Sequence, residues 1–226
     1  MRLDRKSTKK GCKKLSRKLT IVLLLAVALS LSLASVAFAN GGDDRNDNQK
    51  NHYKAHLKAL NRSGAEGHAM LEKNGKKVEI KIHTKGLAPK LPHAQHIHGF
   101  KQALSECPTM ADAGRDNVLT TTEGLPDYGP IQVSLTTKGD TSPKSALAVD
   151  RFPVANAKGS VNYERTISVP SNVAKNLGEK AIVQHGVDLN NNGRYDFKAA
   201  GKSELDPSLP QEATAPANCG VIKLVR

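Results

Sequence analysis

The stretch "KKVEIKIHT" alternates apolar and polar side chains, with Val78, Ile80 and Ile82 at every second position. A period of two places those three residues on one face of an extended chain and the charged residues on the other, which is the signature of a half-buried strand. The alternation returns in "GSVNYERTISVP", where Val161, Tyr163, Thr166 and Val169 fall roughly on alternating faces. Shorter strands are expected at "HAMLEK", "HAQHIHG", "IQVSLTT", "KAIVQHG" and "CGVIKLV", with Gly, Pro, Asn and Asp between them. Only "NHYKAHLKALN" and "NVAKNLG", which ends at Gly178, read as weakly helical. Many short strands joined by polar loops predict an antiparallel all-β sandwich or barrel.

The N-terminal part does not belong to that pattern. Residues 1–19 carry nine Lys/Arg against Asp4, an uncharged run "TIVLLLAVALSLSLASVAFA" follows, and it ends in Ala37-Phe38-Ala39. Basic region, apolar region and small-x-small site predict a secretory signal peptide over 1–39, cleaved before Asn40. The alternative is a retained membrane anchor, since the run is just long enough to span a bilayer. The polar "NGGDDRNDNQKNH", residues 40–52, is expected to be a disordered lead-in to a single β domain over 53–226. Of the chain's net charge of +13, the leader holds +8, so the mature protein sits near +5. With four Phe, four Tyr and no Trp to interleave with basic residues, nucleic-acid binding is not expected. Once the leader is gone, nothing calls for a membrane partner. The expected location is extracellular or the cell envelope.

Cys12 leaves with the leader, so Cys107 and Cys219 remain. In an oxidising compartment two cysteines most simply pair, and a loop of that length contributes about 4–5 kcal/mol in the chain-entropy model.

Three of the eight histidines fall within six residues, at His93, His96 and His98. On a strand, His96 and His98 share a face while Ile97 turns to the core. Two imidazoles held that way are half of a site suited to copper or zinc. The plain alternative is a pair of solvated strand histidines. His185 in "AIVQHGVD" sits at a strand end, and no histidine lies between it and His98, so a histidine site is expected to use the first cluster, His185, or both. His93, at an odd offset from His96, is expected to face away in a continuous strand; the alternative, that the strand starts only after Pro92-His93, would let His93 serve as a further ligand.

A second pattern offers oxygen. "DLNNNGRYD" places Asp188, Asn190, Asn192 and Asp196 at positions 1, 3, 5 and 9 of a calcium-type loop with Gly193 at 6; position 12 is Ala199, and Glu204 lies farther on. "DAGRDNVLTTTE" is a weaker copy with Asp112, Asp116 and Glu123 at 1, 5 and 12, but Gly114 at 3. Ordinary Asx-rich turns explain both patterns equally well. There is no G-x-S-x-G, H-E-x-x-H or P-loop pattern.

"HIHG", a cysteine nine residues after its second histidine, "VQHGVD" and the terminal "NCGVIKLV" together resemble the copper/zinc superoxide dismutase family, over roughly His93 to Val225. The resemblance implies a Greek-key β-barrel, copper held by His96, His98 and His185, and a Cys107–Cys219 disulfide that pins a long loop to the last strand. It implies no catalytic group beyond the metal ligands. The departures carry equal weight. Between Cys107 and His185 there is no match for the family's bridging and zinc histidines, so no zinc is expected, and Pro216 stands where the family has an anion-guiding arginine. The sequence therefore points to a secreted, dismutase-like copper-binding protein, with superoxide as substrate where activity survives. A weaker similarity to chordin-type (CHRD) domains implies the alternative, a non-catalytic extracellular module binding calcium or protein partners. A copper buffer is the third reading.

Overall fold

The computed structural model describes residues 50–225. The leader and nearly all of the expected lead-in lie outside them. Among the described residues the chain is mostly β. β1 (Asn51–Ala59), β2 (Glu66–Asn74) and β3 (Lys77–Lys85) form consecutive hairpins, followed by β4 (Gln95–His98), helix α1 (Thr121–Tyr128) and β5 (Ile131–Ser134). After β6 (Val161–Ser168) come α2 (Ser171–Lys175), β7 (Ala181–His185), α3 (Gln211–Thr214), β8 (Pro216–Val221) and the short β9 (Lys223–Leu224). None of these helices is long and apolar enough to cross a membrane.

All strand pairs are antiparallel and form one curled sheet in the order β5-β4-β7-β8-β1-β2-β3-β6, with β9 on β1. The chain crosses between the two halves of this sheet from β3 to β4, β5 to β6 and β6 to β7, the non-local returns of a Greek key. The half-barrel so formed agrees with the all-β barrel or sandwich that the period-two pattern implied.

Alternation decides what each strand buries. Val78, Ile80 and Ile82 of β3, Tyr53, Ala55 and Leu57 of β1, and Ile97 and Ile182 of β4 and β7 all enter the main core inside the curl. "NHYKAHLKALN" is therefore strand, not helix. Tyr53, Leu57 and Leu60 suit a helical period, but the small Ala55 completes a period of two, and pairing with β2 selects it. For the same reason the expected lead-in is two residues too long, because Asn51 and His52 already pair in β1.

The outer faces of the two halves differ. On β1, β2, β3 and β6 the outward residues are exposed or half-exposed. On β4, β7 and β8 every residue but the half-exposed Val221 is buried, because loops cover the outer face. Beneath that cover Leu60, Leu119, Tyr128, Ala181, Val183 and Cys219 make a second, smaller core. The Cys107–Cys219 disulfide, with Cα atoms 5.7 Å apart, ties the covering segment to β8. Asn61 adds a polar tie: its amide donates to the Leu119 and Pro216 carbonyls and its oxygen accepts the Leu119 N–H.

Candidate metal centre

His96 and His98 occupy one face of β4 and Ile97 the other, as an i, i+2 pair must. Their neighbours across the sheet are Val183 and Ala181, members of the covered second core, so the imidazoles point under the loops. They are no solvated strand pair: His96 is 2% and His98 0% exposed. On β7, Ala181, Val183 and His185 share that covered face. A register shift between Gln184 and His185 moves the last residue's pairing to Pro216 of β8. The ring centroids of the three histidines are 5.1 to 5.8 Å apart. One ring nitrogen from each lies within 4.8 Å of the others'.

The hydrogen bonds fix how each ring is used. Nε2 of His96 donates to the Ala146 carbonyl at 3.1 Å, Nδ1 of His98 to the Gly129 carbonyl at 2.8 Å, and Nδ1 of His185 to the Thr214 carbonyl at 2.8 Å. A carbonyl only accepts, so each of those nitrogens carries the proton and the other one holds a lone pair. Those others, Nδ1 of His96, Nε2 of His98 and Nε2 of His185, are buried and have no hydrogen-bond partner. An unsatisfied buried polar atom costs about 1–3 kcal/mol. Three such atoms in one group are expensive unless something shared satisfies them. Backbone carbonyls that orient ligand imidazoles are the usual outer support of a metal site. The residues present thus fit a metal ion.

Burial keeps the rings neutral, the form that ligates. Desolvation, reinforced by the neighbouring His185, holds His98 at about 3, desolvation holds His185 at about 4 against the raising effect of its bond to Thr214, and His96 lies well below its usual value through desolvation, His185 and His98. Packing fixes the rings further: Tyr128 meets His98 edge-on at 4.5 Å and Phe152 meets His96 at 5.3 Å. Beside His96 and His185 a narrow apolar recess runs to the surface between Leu147, Val149, Leu205 and Leu209, with no charged residue in its lining. Pro216, in the place expected of an anion-guiding arginine, is buried in β8.

His93 is not a fourth ligand. Its Nδ1 faces the His185 carbonyl at 2.9 Å and its Nε2 the Ala88 carbonyl at 3.0 Å, and Tyr195 meets the ring at its edge. It braces the backbone of a ligand.

The oxygen patterns fare differently. Asp112, Asp116 and Glu123 do not converge. Asp112 accepts from the Thr109 N–H and Asp116 from that of Val118, while Glu123 closes the capping box of α1 with Thr120 and also accepts from Gly114. The segment here forms a cap and its turns, and the helix it starts was not among the expected elements. Asp188, Asn190, Asn192 and Asp196 do share one loop, where Asp188 accepts the N–H groups of Asn192 and Gly193, and Asp196 accepts from the Asn192 amide. Glu204 stays outside this loop and accepts from the Thr122 N–H. The acid that does reach it is Glu212 of α3, fully buried, whose carboxylate accepts from Leu189 and Asp196.

Sequence reasoning missed Glu212, Thr121, whose hydroxyl donates to the Thr214 carbonyl, and the three orienting carbonyls. A carbonyl has no sequence signal, since every residue carries one. Compared with known proteins, the chain matches no family model and no curated protein.

Proposed function

We propose that the protein is an extracellular copper-binding protein, similar in plan to the copper/zinc superoxide dismutases, with one copper ion on His96, His98 and His185 and no zinc. The carrying observation is the trio of buried, unpartnered imidazole nitrogens whose partner nitrogens are committed to backbone carbonyls. Three neutral imidazoles with no thiolate or carboxylate suit copper twice over. Cu(II) heads the divalent affinity order, and a buried ligand set without anions penalises a monovalent Cu(I) less than a divalent zinc. Bound copper supplies a one-electron Cu(II)/Cu(I) couple.

The chain's own residues then set the rate. The recess beside His96 and His185 admits a small molecule but offers no cation to attract an anion, so superoxide would arrive without electrostatic steering. Weak dismutation is the expected activity. That same recess favours copper holding without turnover as the second reading. A calcium-binding module would rest instead on the Asp188–Asp196 loop and Glu212.

The test is the copper, zinc and calcium content of mature protein purified without chelator and washed with glycine, which strips weakly held ions. One copper per chain, lost in His185→Ala and accompanied by slow superoxide consumption, supports the proposal. One copper and no consumption selects the holding reading. Calcium without copper, even after copper is offered, removes both.

A further inference from the structure

Four of the remaining histidines lie far from the buried trio, and three of them line up. β1 pairs with β2 so that His56 stands opposite His68, and β2 pairs with β3 so that His68 stands opposite His83. His56 and His68 are exposed and His83 half-exposed, all on the open outer face of the β1-β2-β3-β6 half. Directly opposite side chains on neighbouring antiparallel strands have Cβ atoms about 4.5–5.5 Å apart. The rings of His68 and His83 have their centroids 5.6 Å apart, which matches the spacing of His96 and His98 in the buried site.

The row continues onto β6, where Asn162 stands opposite His83. The Asn162 carbonyl oxygen accepts a hydrogen bond from Nδ1 of His83. That bond fixes the tautomer and leaves the lone pair on Nε2, the same division of labour that the backbone carbonyls impose on the buried histidines. Met70, two residues along β2 from His68 and on the same face, brings a thioether into the depression that His68, His83 and Asn162 line. Lys81, which lines the same depression, is paired with Glu79 at 2.8 Å and Glu164 at 3.3 Å, so its own charge is balanced where a cation would approach.

We propose that His68 and His83, with His56 beside them, form a second, solvent-exposed site for a divalent transition-metal ion, with Cu(II) preferred over Zn(II). Neighbouring strands are about 4.8 Å apart, so His56 and His83 at the ends of the row are about 10 Å apart and one ion does not draw on all three equally. The pair His68 and His83 chelates, because Asn162 has already set one of the rings. His56, on the far side of His68, is a weaker third donor that does not replace His83, and water completes the shell. Rigid strands hold the pair in place before the metal arrives, which lowers the ordering cost of binding. Imidazole suits copper and zinc alike, and the affinity order places Cu(II) above Zn(II). The site is open and exchangeable where the buried one is closed, and it does not depend on the reading of His96, His98 and His185.

The test is titration of tag-free full-length mature protein with Cu(II) alone, read by electron paramagnetic resonance and calorimetry. The same titration is run on His68→Ala, His83→Ala, Asn162→Ala, His52→Ala and His185→Ala. An exchangeable equivalent is expected in wild type and in His185→Ala, and is lost in His68→Ala and His83→Ala. Asn162→Ala weakens it by about tenfold, the usual penalty for losing an orienting partner. His52→Ala, placed opposite Glu72 and outside the row, leaves it unchanged. An exchangeable equivalent that survives in His68→Ala or in His83→Ala, or that wild type lacks, overturns the proposal.

Discussion

The two outer faces of one curled sheet carry the same side chain in opposite circumstances. On the β4–β7 face three histidines are sealed under loops, and on the β1–β2–β3 face four, three of them in one row, stand in or near solvent. Strand geometry is common to both, since i, i+2 and cross-strand neighbours bring rings together in either place. The covering segments make the difference. Residues 99–130, pinned by Cys107–Cys219, bring the Gly129 carbonyl to His98, and residues 186–215 bring the Thr214 carbonyl to His185. The open face has no such cover because β2 and β3 are joined by a turn of two residues, Gly75 and Lys76. A strand supplies direction, and a loop supplies dryness and the choice of tautomer.

Breaking the cover gives the largest effect. Cys219→Ser is expected to cost about 4–5 kcal/mol, the chain-entropy worth of a loop of 112 residues, in urea denaturation. It should also expose the covered histidines to exchange while the β1–β3 amides stay protected. Equal loss of protection on both faces would mean that the cover does not act as a separate layer.

The metal-free protein should lose stability in acid for a reason confined to the covered face. His98 and His185 are held at about 3 and about 4 by burial, against 6.5 when unfolded. Below 6.5 the unfolded chain therefore binds more protons than the folded one. Stability is whole above about pH 6.5 and falls as pH drops toward about 4, by about 1.4 kcal/mol per pH unit for each such imidazole. Urea midpoints at pH 7, 6 and 5 that do not move would contradict the burial.

Truncation sharpens the contrast at single residues. His98→Ala leaves the Gly129 carbonyl without its donor and opens a cavity, and should cost about 2–4 kcal/mol. His68→Ala, on the open face, should stay within about 0.5 kcal/mol. Thr120→Ala, which removes one half of the α1 capping box, should fall between those two at about 1 kcal/mol. Thermal melts of the three variants order them.

The strands were legible because alternation with β-branched residues is a local signal, and β3 and β6 stand where "KKVEIKIHT" and "GSVNYERTISVP" placed them. β1 was misread because Tyr53, Leu57 and Leu60 fit a helical period within so short a window. His96, His98 and His185 were legible as candidates, two by spacing and one by its place at a strand end. Their tautomers were not, since those depend on carbonyls from distant loops. The His56–His68–His83 row depends on the registers of two hairpins. The Gly75-Lys76 turn, with glycine first, does carry half of that signal, because a two-residue turn closing Asn74 on Lys77 puts His68 opposite His83 by counting back along both strands. The six-residue connection from β1 to β2 gives no such count.

The most direct test of the covered site is the 15N spectrum of the histidine rings in the metal-free protein, followed from pH 8 to pH 5. His96 should appear as the Nε2–H tautomer and His98 and His185 as Nδ1–H tautomers, each fixed and without titration across that range. Averaged tautomers that titrate near 6.5 would contradict the account, because the three lone pairs would then not be held toward one point.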